Sequence, residues 1–171
     1  MTTPIAPNRM TLTNLRTAET REPQFNPDKV EEEIQANYAA LSALGYSHKP
    51  LQYTNTENVK LSFDFHFDST TSYGGGGGGA FAHETRKFLL SVMVPPGATA
   101  QDVLTGGTDR CLFVWPEMWA FQCHILKLRS SFTRFARTGK ATAWVCNVEI
   151  GYVSDFRLTS EDVRLRGFLG G

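Results

Sequence analysis

The chain has only three cysteines, and no two of them stand in a C-x-x-C spacing. Cys111, Cys123 and Cys146 therefore outline neither a secreted disulfide framework nor a zinc-binding pattern. Buried thiols are the reading that fits best. An intramolecular or intersubunit disulfide stays open at this stage. Long hydrophobic runs are missing as well. No stretch approaches the roughly 18 apolar residues of a membrane helix, and the opening MTTPIAPNRMTLTNL has no apolar signal core. The expectation is a soluble chain without a membrane anchor. Charge of one sign is not in excess either. Seventeen basic residues offset seventeen acidic ones, so no global field favours nucleic acid or a membrane surface.

Catalytic signatures are also lacking. Serine, histidine and acidic residues occur, but none stands in G-x-S-x-G, H-E-x-x-H or another nucleophile motif. The four histidines, His48, His66, His83 and His124, are isolated in sequence and read as structural. The glycine run at 74–79 lies between a strand pattern and a helix pattern, as a phosphate-binding loop would. That loop needs a lysine and a hydroxyl directly after its last glycine. Here Gly79 is followed by Ala80 and Phe81, so a flexible tether is the better reading. No catalytic, cofactor-binding or metal-ligating residue is assigned, and no cofactor is expected.

What the chain does have is phenylalanine, twelve in all, enough to build much of a core. The most regular stretch, residues 59–68, reads V-K-L-S-F-D-F-H-F-D. Only a β-strand puts residues i, i+2 and i+4 on one face. Val59, Leu61, Phe63, Phe65 and Phe67 then form a packed face, and Lys60, Ser62, Asp64, His66 and Asp68 a polar one. Neighbours on the polar face are roughly 7 Å apart, so a metal could bridge two of Asp64, His66 and Asp68. A single strand rarely closes a coordination shell, and a solvated or interfacial face is the better reading.

Around this strand the pattern is mostly extended. Residues 1–21 are polar and read as an arm, loose or draped on a neighbour. Residues 30–41 suit a helix face on local propensity, though 30–38 also alternates like a strand. Residues 45–57 read as a connection carrying Leu51 and Tyr53. A glycine-rich loop spans 69–79. A helix over 80–94 buries Phe81, Phe88, Leu89, Val92 and Met93, exposes His83, Glu84, Arg86 and Lys87, and stops at Pro95 and Pro96.

After a second loop at 97–110, C-L-F-V-W-P is a buried strand with Trp115 in the core. Residues 119–125 alternate again. Residues 137–140 form a hairpin turn, and 142–150 a last strand with Trp144 inside. The basic residues Lys127, Arg129, Arg134, Arg137 and Lys140, interleaved with Phe132 and Phe135, read as a solvated hairpin or a charged subunit contact. Five or six strands joined mainly by short turns predict a mainly β fold: an antiparallel β-sandwich or barrel with one packed helix.

Three ordered segments resemble one family. They are Q-F-N-P-D at 24–28, leading into residues 30–38 and Gly45; L-Q-Y-T-N-T-E-N-V-K-L-S-F-D-F-H-F-D at 51–68; and L-F-V-W-P at 112–116 with F-T-R-F-A-R-T-G-K-A-T-A-W-V-C-N-V-E-I at 132–150. This order resembles the contractile injection system tube-type domain of phage baseplates and phage-tail-like particles, over residues 22–152. The six-glycine insertion departs from the family's short connection. The resemblance implies a fold of tail-tube type and makes residues 30–38 a strand. It implies a structural virion protein rather than an enzyme: a ring, expected as a homohexamer, that links the central hub and spike to the tail tube as tube initiator or hub adaptor.

The implied partners are further copies of the chain, the tail tube protein, hub and spike proteins, and wedge or sheath-proximal baseplate proteins. Nucleic acid enters only as DNA passing through the channel. The implied location is the tail baseplate of the virion, after assembly in the host cytoplasm. The polar face of residues 60–68 would then meet the channel or a neighbouring subunit. The repeating tail-tube subunit is the alternative role, and a small β-fold enzyme or ligand-binding domain the alternative from another class. Some members carry a peptidoglycan-binding LysM module at the C-terminus. Only a short extension, 153–171, follows the match here, so cell-wall binding is not carried over.

Overall fold

The alternating run becomes strand β6 (Lys60–Asp68), and its burial follows the sequence residue by residue. Leu61, Phe63, Phe65 and Phe67 are buried, while Asp64 and His66 are exposed and Lys60, Ser62 and Asp68 half-buried. The structure is a computed structural model that describes residues 8–42, 44–45, 47–70, 78–97 and 107–153. Residues 71–77 of the glycine-rich loop, the Phe81 side chain and residues 154–171 of the C-terminal extension lie outside the described ones.

Eight further strands surround β6 among the described residues: β1 (Thr11–Asn14), β2 (Thr20–Arg21), β3 (Val30–Glu33), β4 (Ala36–Ala40), β5 (Leu51–Thr56), β7 (Cys111–Trp115), β8 (Trp119–Phe135) and β9 (Ala141–Tyr152). Seven strands form one sheet in the order β2-β1-β7-β8-β9-β6-β3, and β4 and β5 form a separate two-stranded sheet. All pairings are antiparallel.

The seven-stranded sheet is rolled. In a flat sheet β6 and β7, three places apart, would lie about 14 Å from each other. Instead the rings of Phe63 and Phe113 stack with centroids 5.6 Å apart. Gln24, just after β2, reaches the backbone of Asp68 at the end of β6. The rolled sheet encloses Phe63, Phe65, Phe67, Phe113, Phe121, Trp144 and the three cysteines. Helix α1 (Gly78–Val92) packs on β6 and β8 and contributes Ala82, Phe88, Leu89 and Val92 to the same core. The fold is therefore mainly β, an antiparallel sandwich or open barrel with one packed helix.

Several expectations change. Residues 8–21 are not a loose arm in this chain. Met10 and Leu12 are buried, β1 pairs with β7, and Asn14 and Arg16 both donate to the buried carboxylate of Asp109. Residues 30–38 form two short strands, β3 and β4, broken at Ile34 and Gln35. Residues 51–56 are a strand rather than a connection. Trp115 is only half-buried, because β7 ends there and the left-handed turn at Glu117 (φ 68°) carries the chain out of the core. The helix begins and ends two residues before the range read from periodicity, within the usual fraying of helix ends.

His83 and Arg86 were expected to face solvent. The His83 ring instead lies 4.8 Å from Trp144, and Arg86 sits 5.7 Å over the Phe132 ring. A helix lying against a curved sheet touches it over a wider arc than its apolar stripe. Glu84 and Lys87 remain exposed and pair at 3.0 Å.

Candidate functional site

The strand register sets the outward face of the sheet. Cα partners share a face, so residues paired across β3, β6, β9 and β8 line up in rows. One row runs Glu31, Ser62, Glu149, Lys127. The next runs Asp64, Asn147, Arg129, and further along lie His66, Val145, Ser131 and then Asp68, Ala143, Arg134. All five polar residues singled out on β6 thus point away from the core. Side chains within this face engage one another. Asn147 donates to Asp64 Oδ1 at 2.8 Å, Lys60 pairs with Glu57 at 3.2 Å, and Arg134 lies 3.8 Å from Asp68. The Asp68 carboxyl is held below its usual range, chiefly by hydrogen bonds from the Thr70 hydroxyl and backbone N–H. Among the described residues no group of three or more His, Cys, Asp or Glu gathers as a metal site.

The face is graded in charge. Its β3 side carries the exposed Glu31 and Glu33. Its β8 side carries Lys127, Arg129 and Arg134, with Arg137 and Lys140 at the hairpin turn, all exposed. Phe132 and Phe135 accompany them. Phe132 leans inward onto Trp144, at 5.8 Å between centroids, and Phe135 stays open to solvent.

The β4–β5 hairpin was not singled out from sequence. Ile34, Tyr38, Leu41, Leu51 and Tyr53 are all exposed there. Tyr38 and Tyr53 touch edge to face at 5.9 Å, and every β5 residue is exposed. The alternation of Leu51, Tyr53 and Asn55 was the available signal. An isolated hairpin is marginal in water without a further layer to pack on. An open groove of about 480 Å³ lies between this hairpin and the sheet, beside Asn58, Lys60, His124, Leu126 and Tyr152. The cysteines offer no reactive thiol: burial pushes Cys111 up to about 12 and raises Cys123 and Cys146.

Comparisons with known proteins bear on the family. No curated protein matches the chain. Among solved structures, a chain from the virion of a native gene transfer agent (GTA) particle aligns at 9% identity and TM-score 0.38, covering 88% of this chain and 99% of that one. A chain from the six-fold symmetrised baseplate of the anti-feeding prophage (AFP) aligns at 10% identity and TM-score 0.35, covering 90% and 95%. At these scores neither likeness carries an argument about fold or role. The family comparison does. The model described as contractile injection system tube protein matches residues 7–151, from before β1 almost to the end of β9. Matched over nearly all of its folded length, the chain belongs to the contractile injection system tube protein family.

Proposed function

We propose that this chain is a structural, non-enzymatic ring component of a contractile phage tail or phage-tail-like injection particle. In this reading it sits in the baseplate as tube initiator or hub adaptor, and joins the central hub and spike to the tail tube. Its partners are further copies of itself in a closed ring, taken here as six, then the tail tube protein, the hub and spike, and neighbouring wedge or sheath-proximal proteins. The face of Lys60, Ser62, Asp64, His66 and Asp68 meets the channel or a neighbour, and DNA passes without sequence-specific contact. Assembly takes place in the host cytoplasm and the product resides in the virion tail.

Beside family membership, one observation carries the reading: the β4–β5 hairpin exposes Tyr38, Leu51 and Tyr53 with no layer over them among the described residues. Such a surface is stable when another subunit covers it. The test is to purify the chain and image it alone and mixed with hub and tube proteins. Rings are expected. A chain that stays monomeric at high concentration and forms no ring with either partner overturns the reading.

The description of the matched family as a tube protein favours a second reading, the repeating tail-tube subunit. Copy number separates the two. One ring's worth per particle, counted against the sheath protein, supports the initiator; many stacked rings support the tube subunit.

A further inference from the structure

Cys111 and Cys123 stand directly opposite each other on β7 and β8. Opposite residues of an antiparallel pair have Cα atoms about 4.5–5.5 Å apart and side chains on the same face. A disulfide accepts Cα separations of about 4.4–6.8 Å. Both side chains are fully buried in the core, and both are free thiols. Burial raises the Cys123 thiol, and the adjacent Cys111 adds to the rise, as two neighbouring sulfurs should.

Cys146 has no such partner. Its Cα partners are Phe65 and Ser130. The β9 residue opposite Cys123 is Tyr152, further along the strand than Cys146. That offset separates Cys146 from Cys123 by roughly 20 Å.

We propose that Cys111 and Cys123 are a latent cross-strand disulfide, closed by a small-molecule disulfide such as oxidised glutathione, that fastens the open end of the β7–β8 hairpin. The other end of that hairpin is already held by its turn and by the edge-to-face rings of Trp115 and Trp119, 6.1 Å apart. The cysteines lie where β7 begins, just after the Asp109 carboxylate that anchors Asn14 and Arg16. Asn14 is itself the β1 partner of Cys111. The bond therefore secures β7 together with the N-terminal strand that leans on it.

The exchange balances without a cofactor. One cysteine, as thiolate, attacks the small disulfide and releases a first small thiol, leaving a mixed disulfide. The second cysteine attacks the protein sulfur of that mixed disulfide and releases a second small thiol. The chain loses two S–H bonds and gains one S–S bond, and the two electrons and two protons end on the released thiols. Both cysteines are buried, so exchange waits for β7 to part from β8 and is slow in the folded chain. In the particle proposed above, the pair stays reduced during assembly in a reducing cytoplasm and closes after release. The pairing itself does not rest on that reading.

The test equilibrates the full chain with glutathione redox mixtures, in native buffer and in urea, and maps the thiols by mass. Trypsin cuts after Arg110 and Lys127, which leaves Cys111 and Cys123 on one peptide and Cys146 on another. In native buffer the free thiols should fall from three to one, with the peptide 111–127 lighter by two hydrogens. The equilibrium constant for that bond should be at least roughly tenfold larger in native buffer than in urea, because the fold holds the two sulfurs together. Cys146→Ala should oxidise like wild type, and Cys111→Ala should form no intramolecular bond. Three thiols kept at every ratio, a constant no larger in native buffer than in urea, or a bond that takes in Cys146 overturns the proposal and leaves the ring reading intact. A variant that folds poorly does not blunt the test, since the map of the wild-type chain decides it alone.

Discussion

The side chain of Gln24 holds both polar groups of the Asp68 backbone. The Asp68 N–H donates to Gln24 Oε1, and Gln24 Nε2 donates to the Asp68 carbonyl, each at 2.9 Å. The two residues lie far apart in the strand order. Gln24 follows β2, the first strand, and Asp68 ends β6, five places away. In a flat sheet that separation would be about 24 Å. The amide imitates a strand partner and pins the roll of the sheet shut.

Removing that clip should open the roll. Gln24→Ala loses both hydrogen bonds and leaves backbone groups near the core unpaired, at a cost of about 2–3 kcal/mol. Gln24→Glu keeps an acceptor for the Asp68 N–H but loses the donor to its carbonyl. It also buries a carboxylate with an oxygen against that carbonyl, and should destabilise at least as much as alanine. Urea unfolding of the three proteins checks the order. Equal stability of wild type and Gln24→Ala would show that the closure rests on the core alone.

The faces of β6 make opposite predictions for neighbouring residues. Phe65 is 3% exposed and its ring lies 5.1 Å from that of Phe63. Phe65→Ala should cost about 3–5 kcal/mol, and Phe65→Asp more, since the new charge has no partner. His66, one residue on, is exposed. His66→Ser should change unfolding by no more than about 0.5 kcal/mol. Thermal melts of the pair test the assignment, and a tolerant Phe65 with a sensitive His66 would reverse it.

Much of this architecture was legible because it is local. An alternating run declares a half-buried strand by itself, so β6 and its two faces follow from residues 59–68 alone. The helix and the β8–β9 hairpin are similar cases. The missed parts depend on distant partners. Met10 and Leu12 look like any two apolar residues in a polar segment, and become core only because β7 and the rolled sheet meet them. His83 and Arg86 are polar by type, and are drawn inward by the rings of Trp144 and Phe132. The outward face of the sheet was half legible. The polar face of β6 was seen, but its charge gradient needs the register across four strands.

Asp109 gives the N-terminal strand a dependence on pH. Its carboxyl accepts from Arg16 Nε at 2.7 Å and from Asn14 Nδ2 at 2.7 Å, and the Arg16 bond leads in holding its pKa below the usual range. A carboxyl lowered on folding contributes stability above its unfolded pKa, about 4. That stability is lost as pH falls through the lower, folded value. Asp109→Asn should therefore cost about 1–3 kcal/mol at pH 7, and the gap to wild type should narrow as pH drops below ~4. Denaturant titrations at several pH values measure it. A gap that is constant or grows with acid would remove Asp109 from this role.

The thiols should be silent in the folded chain. Cys111, Cys123 and Cys146 are free and buried. With Cys111 pushed up to about 12, only about one molecule in ten thousand carries its thiolate at pH ~8. A chromogenic disulfide reagent should find almost no fast-reacting thiol in the native protein, and three in denaturant. A rapid native reaction would mean that the core near β7 opens locally.

The hairpin separates folding from assembly. Tyr38 and Tyr53 touch each other at 5.9 Å but remain more than half exposed, at 57% and 55%. Within one subunit their removal sacrifices little buried area, so Tyr53→Ala should shift unfolding by about 1 kcal/mol or less. If a second subunit covers them, the same change removes an aromatic anchor from an interface, where single truncations cost about 2 kcal/mol or more. The expected pattern is near-normal unfolding with ring formation weakened by roughly thirtyfold. Unfolding at a dilution where only single chains exist, compared with sedimentation at high concentration, reads the two effects separately. A large loss of stability in the dilute chain would mean that the tyrosines pack within their own subunit. Unchanged sedimentation would mean that the hairpin takes no part in assembly.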